Sequence, residues 1–371
     1  MFLSKINLQN FRNYSKLKLN FDKNINIFIG NNAQGKTNIL ESIYFLSITK
    51  SHRTNKEMFL IKNEELYSKV IGKVKIENSL SKTYEVMINE NGKRVSINDN
   101  PIKKISDYLS NINVIMFCPD DLEIIKGTPS QRRYFLNIEI GQLHNEYLKH
   151  IYNYNKILKN RNEYLKNYYN FDKVYFNVLT EELIKENIKI IKYRDEYISM
   201  INKYITDIYR DLTKKDNIYL KYETFVDIDT EEIMYKKIKE KFDRSFDNEL
   251  FQKVTLHGAH KDDFSVYIDD VKINNYGSQG QHRIAILSIK LAEVEIFRNV
   301  KETKPILLLD DIFSELDKNK KNNIIKYINN DLQVFITSTD LKNISRKLLK
   351  EADIFKVENG QVVKECEKNG R

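Results

Sequence analysis

Cysteine is nearly absent from this chain. Cys118 and Cys366 are the two present in 371 residues. They lie far apart and fit no zinc-ligand spacing, which excludes a disulfide-framed scaffold; a reducing compartment is the simpler expectation. Long apolar runs are missing too: none approaches the length of a membrane span, and the opening MFLSKINLQNFRNY lacks a long apolar core of the signal-peptide kind. The chain is therefore expected to be cytoplasmic, without a membrane partner. His52, His257, His260 and His282 are scattered and match no H-E-x-x-H pattern, which argues against a metal cluster built on them. Proline numbers four; it stops at Pro129, glycine stops at Gly141, and neither returns before 250. A long stretch without the two strongest breakers of regular structure points to helices. Charge of one sign does not dominate: 61 Lys and Arg face 52 Asp and Glu, for a net +9. That excess permits nucleic acid or any other anionic surface as a partner, so charge alone identifies none. The length suffices for two or more units with a substantial core.

The most informative stretch is GNNAQGKT at 30–37, a G-x-x-x-x-G-K-T pattern. Ile25-Asn26-Ile27-Phe28-Ile29 precedes it as a short β-like run. Ile39, Leu40, Ile43, Tyr44 and Leu46 follow at helical spacing. A glycine-rich turn between a strand and a helix is the context a phosphate-binding loop requires. Its backbone N–H groups and the helix N-terminus make an anion site. Lys36 is placed to reach β- and γ-phosphates, and Thr37 to offer its hydroxyl to Mg²⁺.

Further along, strand signals dominate residues 1–120. They include KINLQNF, weak alternation over 70–76, a hairpin expected around Asn91-Gly92, and INVIMF at 112–117. Residues 121–250 read as a helical insertion, with patterns such as NYNKILKNRNEYLK and VLTEELIKENIKIIKYRDEYI. The segment 251–371 returns to α/β character: FSVYI, the helix HRIAILSIKLAEVEIF, the strand PILLLDD, the helix KKNNIIKYINN and the strand QVFITST. The expected architecture is an α/β P-loop ATPase head, split by a helical insertion domain.

PILLLDD runs four aliphatics into Asp310 and Asp311. In P-loop enzymes the acid at such a strand end holds Mg²⁺, directly or through water. Asp310 takes that role, and Asp311 is the candidate base for the attacking water. The long separation between Lys36 and Asp310, with YGSQGQHR at 276–283 before the acidic strand, is the order of an ABC-type head. There the second glycine-rich element serves another subunit's nucleotide. Ser278 stands at a helix start and can bind that γ-phosphate, while Gly280 allows close backbone approach.

Taken together, these motifs resemble the RecF family, relatives of the SMC/Rad50-like heads, over nearly the whole chain. The resemblance rests on KINLQNFRNY, GNNAQGKTNILESIYFLS, KSHR at 50–53 and CPDDLEIIKGTPSQRRYFLN at 118–137. It continues through LHGAHKDDF at 256–264, YGSQGQHR, and PILLLDDIFSELD at 305–317. It implies an ATP-induced homodimer clamp, reset by slow hydrolysis of ATP to ADP and phosphate. It further implies sequence-independent binding to gapped or junction-containing DNA and support of RecA loading with RecO and RecR. The setting would be DNA replication, DNA repair and the SOS response, with nucleoid association on DNA.

By the same resemblance Arg12 lies near the nucleotide, and Gly30, Asn31, Asn32, Ala33, Gln34, Gly35, Lys36, Thr37 and Asn38 surround its phosphates. Ser278, Gly280 and Gln281 close on the partner's ATP, and Glu315-Leu316-Asp317 resembles the element crossing the dimer centre. Several positions depart from the family pattern. Lys261 replaces an arginine of a GPHRDD-like stretch, which weakens any planar bidentate contact there. Asn137 replaces the acid ending RRxFLD, Thr339 stands where many ABC proteins carry histidine, and Asp311 is shorter than the commoner glutamate. The alternatives are a short SMC/Rad50-like chromosome-associated head, which needs longer coiled-coil arms than this insertion offers, and an ABC transporter ATPase subunit. NFRNY and the helical insertion speak against the transporter.

Overall fold

The computed structural model describes residues 1–76, 80–166, 172–214, 217–314 and 331–365, with positions 321, 323 and 327 between the last two. Glu315-Leu316-Asp317, Cys366 and most of the helix expected over 320–330 lie outside the described residues. The chain divides into two compact units. One draws on Met1–Asp121, Ile208–Lys215 and Leu287–Arg371, the other on Leu122–Asp207 and Asp216–Ile286.

The first unit holds two six-stranded sheets. One is an antiparallel meander in the order Tyr14–Asn20, Phe2–Phe11, Tyr67–Lys75, Lys82–Asn89, Gly92–Ile97, Asn100–Pro101. The expected hairpin lies within it. Asn89 pairs with Gly92 across the turn residues Glu90 and Asn91, so the turn sits one residue earlier than the Asn-Gly signal implied. The reason is local: the Asn89 side chain accepts a hydrogen bond from the Asn91 N–H at 3.0 Å, an Asx turn that fixes the reversal.

The other sheet runs Gln361–Lys364, Ala352–Glu358, Ile25–Ile29, Val334–Ser338, Ile306–Asp310, Val114–Phe117. All its pairings are parallel except that of the first two strands. Ile306–Asp310 and Val334–Ser338 are buried at every residue, as parallel strands covered on both faces must be. Phe21, Phe28, Phe335 and Phe355 interlock there, with Phe21 edge-on to Phe335 at 4.8 Å.

Helix Lys36–Ile48 follows the third strand of the chain and is buried at eleven of its thirteen positions. Burial on every side means the helix is covered by both sheets rather than by one. On the meander side, a Cβ at Gly72 would lie 2.2 Å from Leu46 Cδ2.

The second unit is built on the helices Pro129–Leu143, Asn145–Lys166, Lys173–Thr213 (its greater part) and Glu231–Gln252. It also carries a small antiparallel sheet whose central strand contains the FSVYI read above, and whose strand Ile218–Glu223 helical patterning did not foretell. Ile218–Glu223 pairs along its length with Asp263–Ile268, which in turn pairs with Val271–Lys272. That pairing is why residues 251–286, read above as part of the returning α/β segment, belong to this unit.

Polar side chains stitch its core. Arg161, 1% exposed, gives Nη2 to Glu249 at 2.6 Å and Nη1 to Thr255 at 2.7 Å, with Phe176 and Phe242 over its faces. His260 Nε2 lies 3.2 Å from the Thr255 carbonyl and Nδ1 2.6 Å from the Tyr154 hydroxyl. A carbonyl only accepts, so Nε2 carries the proton and Nδ1 accepts from Tyr154.

Burial lowers the His260 pKa from 6.5 to about 4, against the raising effect of the Thr255 contact. The unfolded chain therefore takes up this proton first as pH falls, and stability is lost between about pH 6.5 and 4. Urea unfolding of wild type and His260→Gln across that window is expected to show the wild-type advantage shrinking as pH falls. An advantage independent of pH would contradict a neutral buried imidazole.

Candidate nucleotide site

The P-loop lies at the end of Ile25–Ile29, flanked by two parallel neighbours. Ligands of open α/β sheets bind beyond such strand ends. Two glycines are required by space. A Cβ at Gly30 would fall 2.2 Å from the Val357 carbonyl oxygen, and one at Gly35 2.6 Å from both Asn13 Nδ2 and Tyr14 Oη. Gly35 is also the helix N-cap at φ 111, a left-handed conformation that favours glycine. Ala33 shares that region at φ 63.

The loop is braced from outside. Tyr14 Oη donates to the Gly35 carbonyl at 3.1 Å, Asn13 Nδ2 to the Gln34 carbonyl at 3.5 Å, and the Asn359 N–H to Gln34 Oε1 at 2.5 Å. Asn31 and Asn32 are exposed.

Lys36 folds its ammonium back over this loop, donating to the carbonyls of Gly30 at 2.7 Å and Asn31 at 2.8 Å. Burial lowers its pKa, while the nearby Asp311 and Asp310 favour the protonated form. Thr37 Oγ1 donates to Asp310 Oδ1 at 3.0 Å, and Thr337 Oγ1 donates to the same oxygen at 2.6 Å. Thr337 also accepts the Asp311 N–H at 2.9 Å, and Asp311 itself turns at φ 51. Burial raises the Asp310 carboxyl, and the two hydroxyl bonds only partly oppose this. A cation beside this carboxylate would be stabilising, so the residues fit Mg²⁺. Among the described residues no group of His, Cys, Asp and Glu could hold a metal unaided. Mg²⁺ usually takes one or two protein ligands and completes its shell with phosphate and water.

Arg12 stands on the turn between Phe2–Phe11 and Tyr14–Asn20 at φ 54. Its guanidinium forks onto Glu41, Nε to Oε2 at 2.9 Å and Nη2 to Oε1 at 2.6 Å, and Nη1 donates to the Phe59 carbonyl. Glu41 is fully buried on the P-loop helix. It also accepts from Ser51 Oγ at 2.5 Å and lies 3.7 Å from Arg53 Nη1. Arg53 reaches Asn38 Oδ1 at 3.0 Å, and Asn38 donates to Asn13 Oδ1 at 2.8 Å. Arg12, Asn38 and the loop are thus brought together by residues that sequence reasoning left without a role: Asn13, Tyr14, Glu41, Arg53 and Thr337. Glu41 gave no signal, because it reads as a surface acid until both sheets cover the helix. Thr337 had none, because its role depends on a neighbouring strand.

Ser278, Gly280 and Gln281 lie in the second unit. The Gln281 N–H donates to Ser278 Oγ at 3.2 Å, and the Ser278 N–H donates to Gln281 Oε1 at 2.8 Å. This reciprocal capping box starts helix Gln279–Asn299. A Cβ at Gly280 would meet nothing closer than 3.9 Å, so packing within the chain does not require glycine there.

Other residues of the family-like motifs turn inward. Arg132 forks onto Asp263 at 2.5 and 2.8 Å. Asp262 accepts from Arg194, Tyr222 and Thr224. Asn137, standing in place of an acid, still accepts from Arg194 at 3.2 Å and Tyr147 at 2.6 Å. His260, Asp262 and Asp263 therefore hold the 256–263 loop and its strand, and Arg132 pairs locally.

Comparison with known proteins agrees with this architecture. The model of the RecF/RecN/SMC N terminal domain matches residues 2–362. Proteins described as DNA replication and repair protein RecF, from Bacillus cereus and Bacillus anthracis, are each 38% identical over 375 residues, covering 99% of this chain and of the relative. A solved structure of the recombination mediator protein RecF with ATP, in the RecFOR pathway, superposes with a TM-score of 0.92 at 33% identity over 98% of both chains. An SmcHead bound to the C-winged helix domain of ScpA shares the fold alone, with a TM-score of 0.56 at 16% identity. With its α/β ABC-type head and helical insertion, the chain belongs to the RecF family.

Proposed function

We propose that this protein is an ATP-controlled DNA-binding ATPase of replication and recombinational repair. The observation that carries the reading is the arrangement around Asp310: one carboxylate oxygen held by Thr37 and Thr337, with Lys36 and the loop amides beside it. ATP would lie with its phosphates against the N–H groups of residues 30–37. Lys36 would exchange its two carbonyl acceptors for phosphate oxygens. Thr37 and Asp310 would hold Mg²⁺, which when bound supplies charge neutralisation on the phosphates. Asp311 would position water and accept its proton. Its short side chain suits slow turnover.

In this reading a second copy presents Ser278, Gly280 and Gln281 to the γ-phosphate, joining two heads into a clamp that hydrolysis releases. The space beside Gly280 supports such a backbone approach. The clamp grips DNA without regard to sequence, at gaps or single-strand/double-strand junctions. It acts with RecO and RecR to support RecA loading during DNA damage and the SOS response. The names of the relatives and the RecFOR setting of the solved structure support this assignment. Among the described residues no helix is long and apolar enough to cross a membrane. The protein would work in the cytoplasm, on the nucleoid when bound to DNA.

Three outcomes are expected. Lys36→Ala removes a charge-assisted contact to phosphate and should weaken ATP binding at least about tenfold, with unfolding little changed; an unaltered nucleotide titration would remove Lys36 from the site. Asp311→Asn should slow single-turnover hydrolysis by about 10²–10⁴-fold while ATP still binds and dimers persist longer. Normal turnover would assign the base elsewhere. DNA affinity by fluorescence anisotropy should fall with salt at a log–log slope of about −0.9 per phosphate neutralised, and be higher with ATP and Mg²⁺ than with ADP. Ser278→Arg should abolish that nucleotide dependence and spare ATP binding by the monomer. Equal affinity in both nucleotide states would overturn the coupling.

A further inference from the structure

The second unit contains a cavity of about 310 Å³, walled by Pro129–Leu143, Asn145–Lys166, the buried Arg194 and the loop at His260. Among the described residues no acidic side chain lines it. Ser130, Arg133 and Asn137 project from one helix at i, i+3 and i+7, a single face, and Asn155 lines it from the next helix. We propose that this cavity is an oxyanion site that takes a phosphate monoester.

Three observations carry this. First, Arg133 differs from its neighbours Arg132 and Arg194, each of which is paired with a carboxylate. Among the described residues its hydrogen bond is Nη1 to the Asp262 backbone carbonyl at 2.8 Å. The remaining N–H groups of a guanidinium fork are thus left for an acceptor from outside the chain.

Second, the orientation of Asn137 is determined by its neighbours. Its Oδ1 accepts from Arg194 Nη2 and from the Tyr147 hydroxyl, so its NH₂ group is the face left for the cavity. An aspartate here would accept the same two bonds and place a carboxylate oxygen in the cavity instead. The amide is what makes this lining free of acid.

Third, the remaining groups suit a tetrahedral oxyanion rather than a cation. Ser130 and Asn155 are exposed and offer a hydroxyl and an amide. His260 is committed, with Nε2–H donating to Thr255 and Nδ1 accepting from Tyr154, so it adds no negative or basic group. The volume lies at the lower end of small-molecule pockets. That fits one nucleotide-sized group and not a length of strand.

The site is distinct from the P-loop, and its test must silence the P-loop as a competitor. In the full chain carrying Lys36→Ala, calorimetric titration with inorganic phosphate and with deoxyadenosine monophosphate is expected to show binding. Adding Arg133→Gln, Asn137→Asp or Asn155→Asp should weaken it about tenfold or more, the worth of one charge-assisted contact. Asn155→Asp alters an exposed residue, and Asn137→Asp keeps both accepted bonds, so both variants should fold. A paired titration with oligonucleotides ending in phosphate or hydroxyl identifies the source. A preference for phosphate ends that Asn137→Asp erases places the monoester on a nucleic-acid terminus. Binding of the mononucleotide without that preference places it on a free nucleotide. No binding of either probe, or binding by either aspartate variant as tight as by the Lys36→Ala parent, would overturn the proposal. ATP affinity of the chain with Lys36 intact reports separately on the nucleotide site.

Discussion

The Asp310 carboxylate is buried at the end of an entirely apolar strand, where two hydroxyls hold one of its oxygens. One hydroxyl comes from Thr37 at the start of the P-loop helix, the other from Thr337 on the adjacent strand. Three segments that are remote in sequence meet at that oxygen. Desolvation opposes its negative charge, and burying a carboxylate is costly unless it is hydrogen-bonded or paired. The parallel sheet must therefore register Leu309 and Asp310 against Ile336 and Thr337, and place the loop of residues 30–37 beside them. A displacement of one residue along either strand would turn the carboxylate or the hydroxyl to the wrong face.

The same economy governs Glu41. An acid on a helix covered by two sheets has no access to bulk water, and Arg12, Ser51 and Arg53 answer its charge. The turn that carries Arg12 is thereby tied to the P-loop helix. Asn13 and Tyr14, the next two residues, become braces for the loop itself. A structural ion pair and a phosphate-loop motif are in this way parts of one network, which ties the NFRNY segment to the P-loop although fifteen residues lie between them.

In the second unit the inward-facing arginines follow two patterns. Arg161, Arg194 and Arg132 each meet a carboxylate, and removing such a partner is expensive because a charge is left buried alone. Arg133 meets a carbonyl instead. The contrast arises on a single helix: Arg132 points to Asp263, whereas the next residue, about 100° further round the helix, lines a cavity together with Asn137.

Much of the nucleotide site was legible in the chain because its chemistry is local. The roles proposed for Gly30, Gly35, Lys36 and Thr37 rest on backbone spacing between one strand and one helix, and those proposed for Asp310 and Asp311 on their place after four aliphatic residues. The helix at 36–48, the strands at 114–117, 306–310 and 334–338, and the capping residues at 278–281 likewise follow from short-range pattern. What lay beyond reach was every pairing made across the fold. Thr337 looks like any strand residue until parallel register places it against Asp310. Glu41 reads as a surface acid on an amphipathic helix until a second sheet covers that face. Ile218–Glu223 is concealed in a helical stretch because its partner lies some forty residues downstream, and the 256–263 loop discloses its partners only when Arg132, Arg194 and Tyr154 arrive from other helices. Sequence determined which groups stand at a spacing suited to phosphate and metal, since that depends on residue type at fixed intervals. Tertiary structure alone decided which buried charges are answered and which remain available, since that depends on distances between segments that the order of residues does not contain.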